Sequence, residues 1–148
     1  MSFGAEFNNT SEDCLFLNIF APREDDVITP APLYPVMVWI HGGSNRYGCA
    51  EEYDSRIIPR YDVIVVTVNY RLGILGYLST DDDVAPGNFG LFDQQLALEW
   101  IQTNIASFGG DPDRVTIFGN SAGGANVALH MFSQSSQGTR TCTLTNIL

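Results

Sequence analysis

Val115-Thr116-Ile117-Phe118-Gly119-Asn120-Ser121-Ala122-Gly123 joins a β-branched apolar run to a helix-forming one that continues over residues 125–132. Its last five residues have the pattern G-x-S-x-G, a sharp strand-to-helix turn that lifts a serine hydroxyl above a parallel sheet. The two glycines have a steric job there. The serine sits in strained backbone, and side chains on either side would collide with the neighbouring strand and helix. The strand before and the helix after set the stretch apart from an ordinary Gly-Ser turn.

Working outward, Val36-Met37-Val38-Trp39-Ile40 is a short apolar strand that runs straight into His41-Gly42-Gly43. Val63-Ile64-Val65-Val66-Thr67-Val68 is a second such run, continuous rather than alternating. A strand of that kind must be covered on both faces, which implies a parallel sheet between helices. An earlier strand, residues 15–20, is stopped by Pro22. Acidic, proline-containing connectors at 23–35 and 81–88 read as surface loops. The clearest helix follows: Phe92, Leu96 and Trp100 fall four apart, as do Ala97, Ile101 and Ile105, so an apolar stripe is expected to face the sheet. Asn88 or Gly90 caps its start and Gly109-Gly110 stops it. Strand–helix–strand alternation makes the fold class α/β, with a mostly parallel central sheet and flanking helices.

Composition bounds the function. The 148 residues suffice for one domain with a core, and 45% hydrophobic with 16% charged residues is ordinary for a globular chain. The net charge is −10, and all the basic residues are arginine. An acidic surface disfavours nucleic acid and anionic membranes as partners. No apolar run reaches transmembrane length, and the N-terminus lacks the form of a signal peptide. Cys14, Cys49 and Cys142 have no metal-ligand spacing and cannot form a complete disulfide set, so each reads as a buried free thiol, with neither metal nor cofactor implied. Asn8 and Asn9 head overlapping N-x-[ST] sequons, which suit a secreted protein.

A serine hydroxyl becomes nucleophilic when a neighbouring base takes its proton, and the base needs an orienting carboxylate. Attack on an ester also needs donors aimed at the oxyanion that forms. Ala122 offers a backbone N–H at a helix N-terminus, where the dipole favours negative charge. The His41-Gly42-Gly43-Ser44 loop can curl its N–H groups towards the same point. The base is the difficulty, because the chain has only 2 histidines. His130 lies on the helix launched by the turn, roughly 13 Å along its axis from Ser121 at 1.5 Å per residue, and reads as a helix-face residue. His41 reads as a brace for the glycine loop. Nothing after Ser121 is acidic, although the order in this kind of fold is Ser, then Asp or Glu, then His.

Several longer stretches carry a family resemblance. Ser11-Glu12-Asp13-Cys14-Leu15-Phe16-Leu17-Asn18 resembles the E-D-C-L-x-L-N signature of the type-B carboxylesterase/cholinesterase family, and Phe108-Gly109-Gly110 followed by residues 115–123 resembles its active-site signature. Asn69-Tyr70-Arg71-Leu72-Gly73 and Gly87-Asn88-Phe89-Gly90-Leu91-Phe92-Asp93-Gln94 are also typical of it. The match runs over 11–133, within a partial domain spanning 1–148, and 134–148 diverges. The resemblance implies an α/β-hydrolase fold and hydrolysis of a small-molecule carboxylic ester through a serine acyl-enzyme. It assigns Ser121 as nucleophile and Gly43, Ser44 and Ala122 as oxyanion donors, with Gly42 shaping the loop.

Departures from the family also carry information. Ser44 stands where a third glycine is commonest, and Asn120 replaces the glutamate that commonly precedes the serine in cholinesterases. The family's acid and histidine, and the cysteine expected to pair with Cys14, have no counterpart in these residues. The chain therefore reads as a fragment, a truncated isoform or an incomplete gene model, without activity of its own. Its sheet is expected to follow the family order 2-4-3-5. The edge at 115–118 is then left open to association with another strand. Family members are commonly secreted or held in the endoplasmic reticulum. The competing readings are a cholinesterase-like adhesion protein in the manner of neuroligins, which usually lose the serine, and a truncated pseudoenzyme.

Overall fold

The computed structural model describes residues 11–22, 32–136 and 146–147. Strands β1 (Leu17–Phe20), β2 (Tyr34–Ile40), β3 (Ile64–Val68), β4 (Gly110–Asn120) and β5 (Asn146–Ile147) form one sheet in the order β1-β3-β2-β4-β5. β1 is antiparallel to β3, while the β3–β2, β2–β4 and β4–β5 pairings are parallel. The family order expected for the first four strands is the one observed. Helices α1 (Gly73–Tyr77), α2 (Phe89–Asn104) and α3 (Ala122–Phe132) join them, with short 3-10 turns at Ala50–Glu52 and Ile58–Tyr61 between β2 and β3, at Ile105–Phe108 after α2 and at Gln134–Ser136 after α3.

Every residue of β3 is buried, as its unbroken β-branched run requires. On one face Ile64, Val66 and Val68 join Val36, Val38, Ile40, Val115 and Ile117, and Leu98 and Ile101 from α2 and Val127 from α3 close over them. On the other face Trp39 lies 4.9 Å from the rings of both Tyr53 and Phe118. That side is covered by the connector after β2 rather than by a helix. The Asp111-Pro112-Asp113 turn lies inside β4, where the register jumps from Tyr34↔Gly110 to Val36↔Val115.

The apolar stripe expected on α2 holds in one of its two rows. Ile101 and Ile105 are buried and Ala97 packs against the core, but Phe92, Leu96 and Trp100 do not face the sheet: they are 51%, 64% and 38% exposed. The buried residues of α2 are Gly90, Asp93, Gln94, Leu98 and Ile101. Two of those residues are polar, and each has a partner. The Arg71 guanidinium donates to both oxygens of Asp93, each at 2.7 Å, and Gln94 Oε1 accepts from His130 Nε2 at 3.0 Å. His130 lies on a face of α3 and does not bond Ser121, as expected, and that face is buried against α2. At the end of β4, β5 pairs with Gly119 and Asn120. Residues 115–118 have no strand on that side among the described residues. Cys14 and Cys49 are free but only half-buried. Cys142, Asn8 and Asn9 lie outside the described residues.

The amide oxygen of Gln94 can only accept, so His130 carries its proton on Nε2 while Nδ1 takes the Ser136 hydroxyl at 3.0 Å. Burial holds its pKa below the usual 6.5, and burial is the first cause of a lowered value for His41 too. An unfolded chain then binds more protons than the folded one just below pH 6.5. The folding free energy these rings contribute is complete above that pH and declines as pH falls towards the folded values. We predict that the urea midpoint falls between pH 7 and pH 5, and that His130→Gln reduces the fall. An equal fall in wild type and variant would show that His130 is not linked to folding in this way.

Candidate active site

Ser121 occupies φ 54°, ψ −121°, a conformation that L-residues rarely adopt, at the point where β4 gives way to α3. Its residue surface is exposed. The flanking glycines explain how the turn closes. A Cβ on Gly119 would lie 2.5 Å from the Gly123 carbonyl carbon, and one on Gly123 would lie 2.0 Å from the Ile40 carbonyl oxygen. The helix thus starts directly against the C-terminal end of β2.

That end of β2 leads into the glycine loop. A Cβ on Gly42 would meet the Asn120 carbonyl oxygen at 2.6 Å and Ser121 Cβ at 3.2 Å, so the loop backbone lies against the serine turn. Gly43, Ser44 and Asn45 all have positive φ, at 105°, 55° and 56°. Three such residues in succession coil the chain tightly, and the Gly43 carbonyl accepts from the N–H groups of Arg46 and Tyr47 at 2.9 and 3.2 Å. Among the described residues, the N–H groups of Gly43 and Ser44 donate no hydrogen bond. The structure therefore brings Ser121, Gly42, Gly43, Ser44 and the N-terminus of α3 at Ala122 to one place.

Residues that sequence reading did not single out hold the loop. The Tyr70 hydroxyl donates to the His41 carbonyl at 2.6 Å, and Asn45 Oδ1 lies 3.4 Å from it. Burial pushes the Tyr70 phenol well above its usual pKa, so it stays a donor. Asn45 Oδ1 accepts from Asn126 Nδ2 at 3.0 Å, and the Asn45 carbonyl accepts from the Gly73 N–H at 2.6 Å. Asn45 in the left-handed region was the available sequence signal, since asparagine tolerates that conformation. The partner of its amide is far along the chain and leaves no local trace.

Neither histidine reaches the serine. His41 is buried, its ring stacked on Tyr70 with centroids 4.5 Å apart, and its Nδ1–H donates to the Gly42 carbonyl at 2.8 Å. Burial lowers its pKa, against smaller raising effects from the Gly42 bond and the Glu52 carboxylate, so the ring is neutral near pH 7. His130 is engaged with Gln94 and Ser136. Among the described residues the Ser121 side chain has no hydrogen-bond partner, and no group of His, Cys, Asp and Glu could hold a metal ion.

A serine elbow at the C-terminal edge of a mostly parallel sheet, with a glycine loop folded over it, is the arrangement of α/β-hydrolase folds. Comparison with known proteins agrees. The profile of the carboxylesterase family matches residues 2–143. The chain is 54% identical over 132 residues to a cocaine esterase of Oryctolagus cuniculus, which covers 86% of this chain and 24% of that protein. It is 54% identical over 129 residues to the pyrethroid hydrolase Ces2e of Rattus norvegicus, with 86% and 22% covered. It is 46% identical over 147 residues to neuroligin-2 of Mus musculus, with 88% and 18% covered. The chain belongs to the carboxylesterase family, and it spans less than a quarter of the length of these relatives.

The glycine contacts make contrasting demands. Gly123→Ala drives a methyl group into the Ile40 carbonyl and is predicted to cost on the order of 4 kcal/mol or to abolish cooperative unfolding. Ser44→Gly relieves a left-handed residue worth about 1 kcal/mol while adding unfolded-state freedom, and should leave stability within about 1 kcal/mol of wild type. Denaturant titration of the two variants checks both. A Gly123→Ala protein as stable as wild type would contradict the observed packing.

Proposed function

We propose that this segment supplies the nucleophile and the oxyanion hole of a carboxylic ester hydrolase. Ser121 Oγ attacks the ester carbonyl carbon and its proton passes to a base. The carbonyl oxygen becomes an oxyanion held by the N–H groups of Gly43, Ser44 and Ala122, with Gly42 letting the loop lie against the serine. The tetrahedral adduct collapses by breaking the bond to the alcohol oxygen, which leaves with a proton, and water then releases the acid from acyl-Ser121. The observation that carries this reading is the strained, exposed Ser121 beside a coiled loop whose Gly43 and Ser44 donors are unused among the described residues. The names of the rabbit and rat relatives support the ester class.

The base and its carboxylate are assigned to residues outside these 148, because both histidines are engaged elsewhere. The isolated chain is accordingly read as inactive, and the unpaired 115–118 edge as the seat of a further strand. The likeness to neuroligin-2 favours a second reading, a protein of this family that binds rather than hydrolyses. The retained serine argues for the first.

Two measurements separate them. A fluorophosphonate probe should leave the 148-residue chain unlabelled, and rapid labelling of Ser121 would place a base within it. Residues 11–133 grafted in place of the matching stretch of the rabbit esterase should give a hydrolase that loses on the order of 10⁴-fold or more in kcat with Ser121→Ala. A folded graft with no Ser121-dependent turnover would favour the binding reading.

A further inference from the structure

We infer that Asn45 and Asn126 are positioning residues, an amide pair that sets the glycine-loop donors against the Ala122 donor; the inference rests on the hydrolase reading above. The loop that carries Gly43 and Ser44 and the helix that carries Ala122 are separate pieces of chain. Their N–H groups can converge on one oxygen only if the loop is fixed relative to the helix. Hydrogen-bond geometry is strict: donors must lie about 2.7–3.1 Å from the oxyanion, and an error of a few tenths of an ångström weakens the interaction.

Asn45 immediately follows Ser44, and Asn126 lies one turn into α3 from Ala122, in the buried interior of the helix. Asn126 Nδ2 donates to Asn45 Oδ1 at 3.0 Å, and Asn45 Nδ2 lies 3.5 Å from Asn126 Oδ1 as the weaker return bond. The same Asn45 is fixed at two further points: its carbonyl takes the Gly73 N–H at 2.6 Å, and its Oδ1 lies 3.4 Å from the Tyr70 hydroxyl that anchors the His41 carbonyl at 2.6 Å. The loop is thereby tied behind Gly42 through His41 and ahead of Ser44 through Asn45. Among the described residues, the Asn45–Asn126 bond is the one of these ties that runs to the helix bearing the other donor. A buried amide of this kind also forces a choice, since leaving one partner unpaired forfeits the hydrogen bond without regaining water. The loop is therefore held in the one position that satisfies both amides.

The test uses the graft of residues 11–133 into the rabbit esterase, assayed with a matched pair of substrates, a p-nitrophenyl ester and its thionoester. Thiocarbonyl sulfur is a poor hydrogen-bond acceptor, so misplaced donors penalise the oxoester more than the thionoester, whereas a loss of folded protein lowers both equally. Asn126→Leu should lower kcat for the oxoester about 10- to 100-fold with KM changed less than threefold, and should narrow the oxoester-to-thionoester rate ratio. Equal losses on both substrates in Asn126→Leu, or no loss, would overturn the positioning role. A folded graft with no Ser121-dependent turnover would instead overturn the hydrolase reading on which it rests.

Discussion

The approach of Gly123 to the carbonyl of Ile40 is the constraint on which the arrangement depends. With a Cβ the two would be 2.0 Å apart, so α3 can start against β2 only because position 123 is glycine. The parallel register makes that contact meaningful, since Ile40 stands level with Gly119 and the two strands end together. Ligand sites of parallel sheets form beyond such carboxyl ends. Here the chain leaves β2 as a glycine loop and leaves β4 as a serine turn, and the two exits touch at Gly42 and Ser121. A helix displaced outward by one methyl group would separate them.

What the sequence made legible was what sterics and periodicity encode locally. The glycines around Ser121, the β-branched runs of β2 and β3 and the left-handed Gly109 that closes the 3-10 turn after α2 all follow from short-range rules, and the strand order came with the family resemblance. The buried face of α2 followed only in part, through Ala97 and Ile101. Phe92, Leu96 and Trp100 form the more apolar stripe, yet Asp93 and Gln94 face inward. Their burial is made tolerable by Arg71 and His130, residues from other elements, and no count of apolar positions along one helix registers a distant partner. β5 contributes two residues, too few to show any period.

The family blocks acquire physical content from these contacts. Arg71 donates through its backbone N–H as well as its guanidinium to Asp93, and its charged group lies 5.2 Å from the centroid of the Phe89 ring. Its carbonyl sits where a Cβ on Gly90 would lie 2.4 Å away and one on Gly76 2.2 Å away. One arginine therefore draws α1, α2 and the end of β3 together. The adjacent Tyr70 holds the glycine loop. Residues 69–73 thus connect the packing of α2 to the loop over Ser121, so the two stretches typical of the family act as one support.

His41 tests whether the site is self-sufficient. A carbonyl oxygen can only accept, so the bond to Gly42 requires the proton on Nδ1 and leaves Nε2 as the bare lone pair of a neutral ring. That lone pair is buried and finds no partner among the described residues. Burial lowers the basicity of the ring, which is the wrong direction for a group asked to take a serine proton. Turning Nε2 towards Ser121 would break the Gly42 bond and unstack Tyr70. The ring also packs so closely on Gly48 that a Cβ there would lie 2.8 Å from Nδ1. Any gain of a base at His41 would come with the loss of the contacts that hold the glycine loop against Ser121. We read His41 as a brace for that reason, and under the proposed function a proton acceptor for Ser121 approaches from the solvent side on which the serine is exposed.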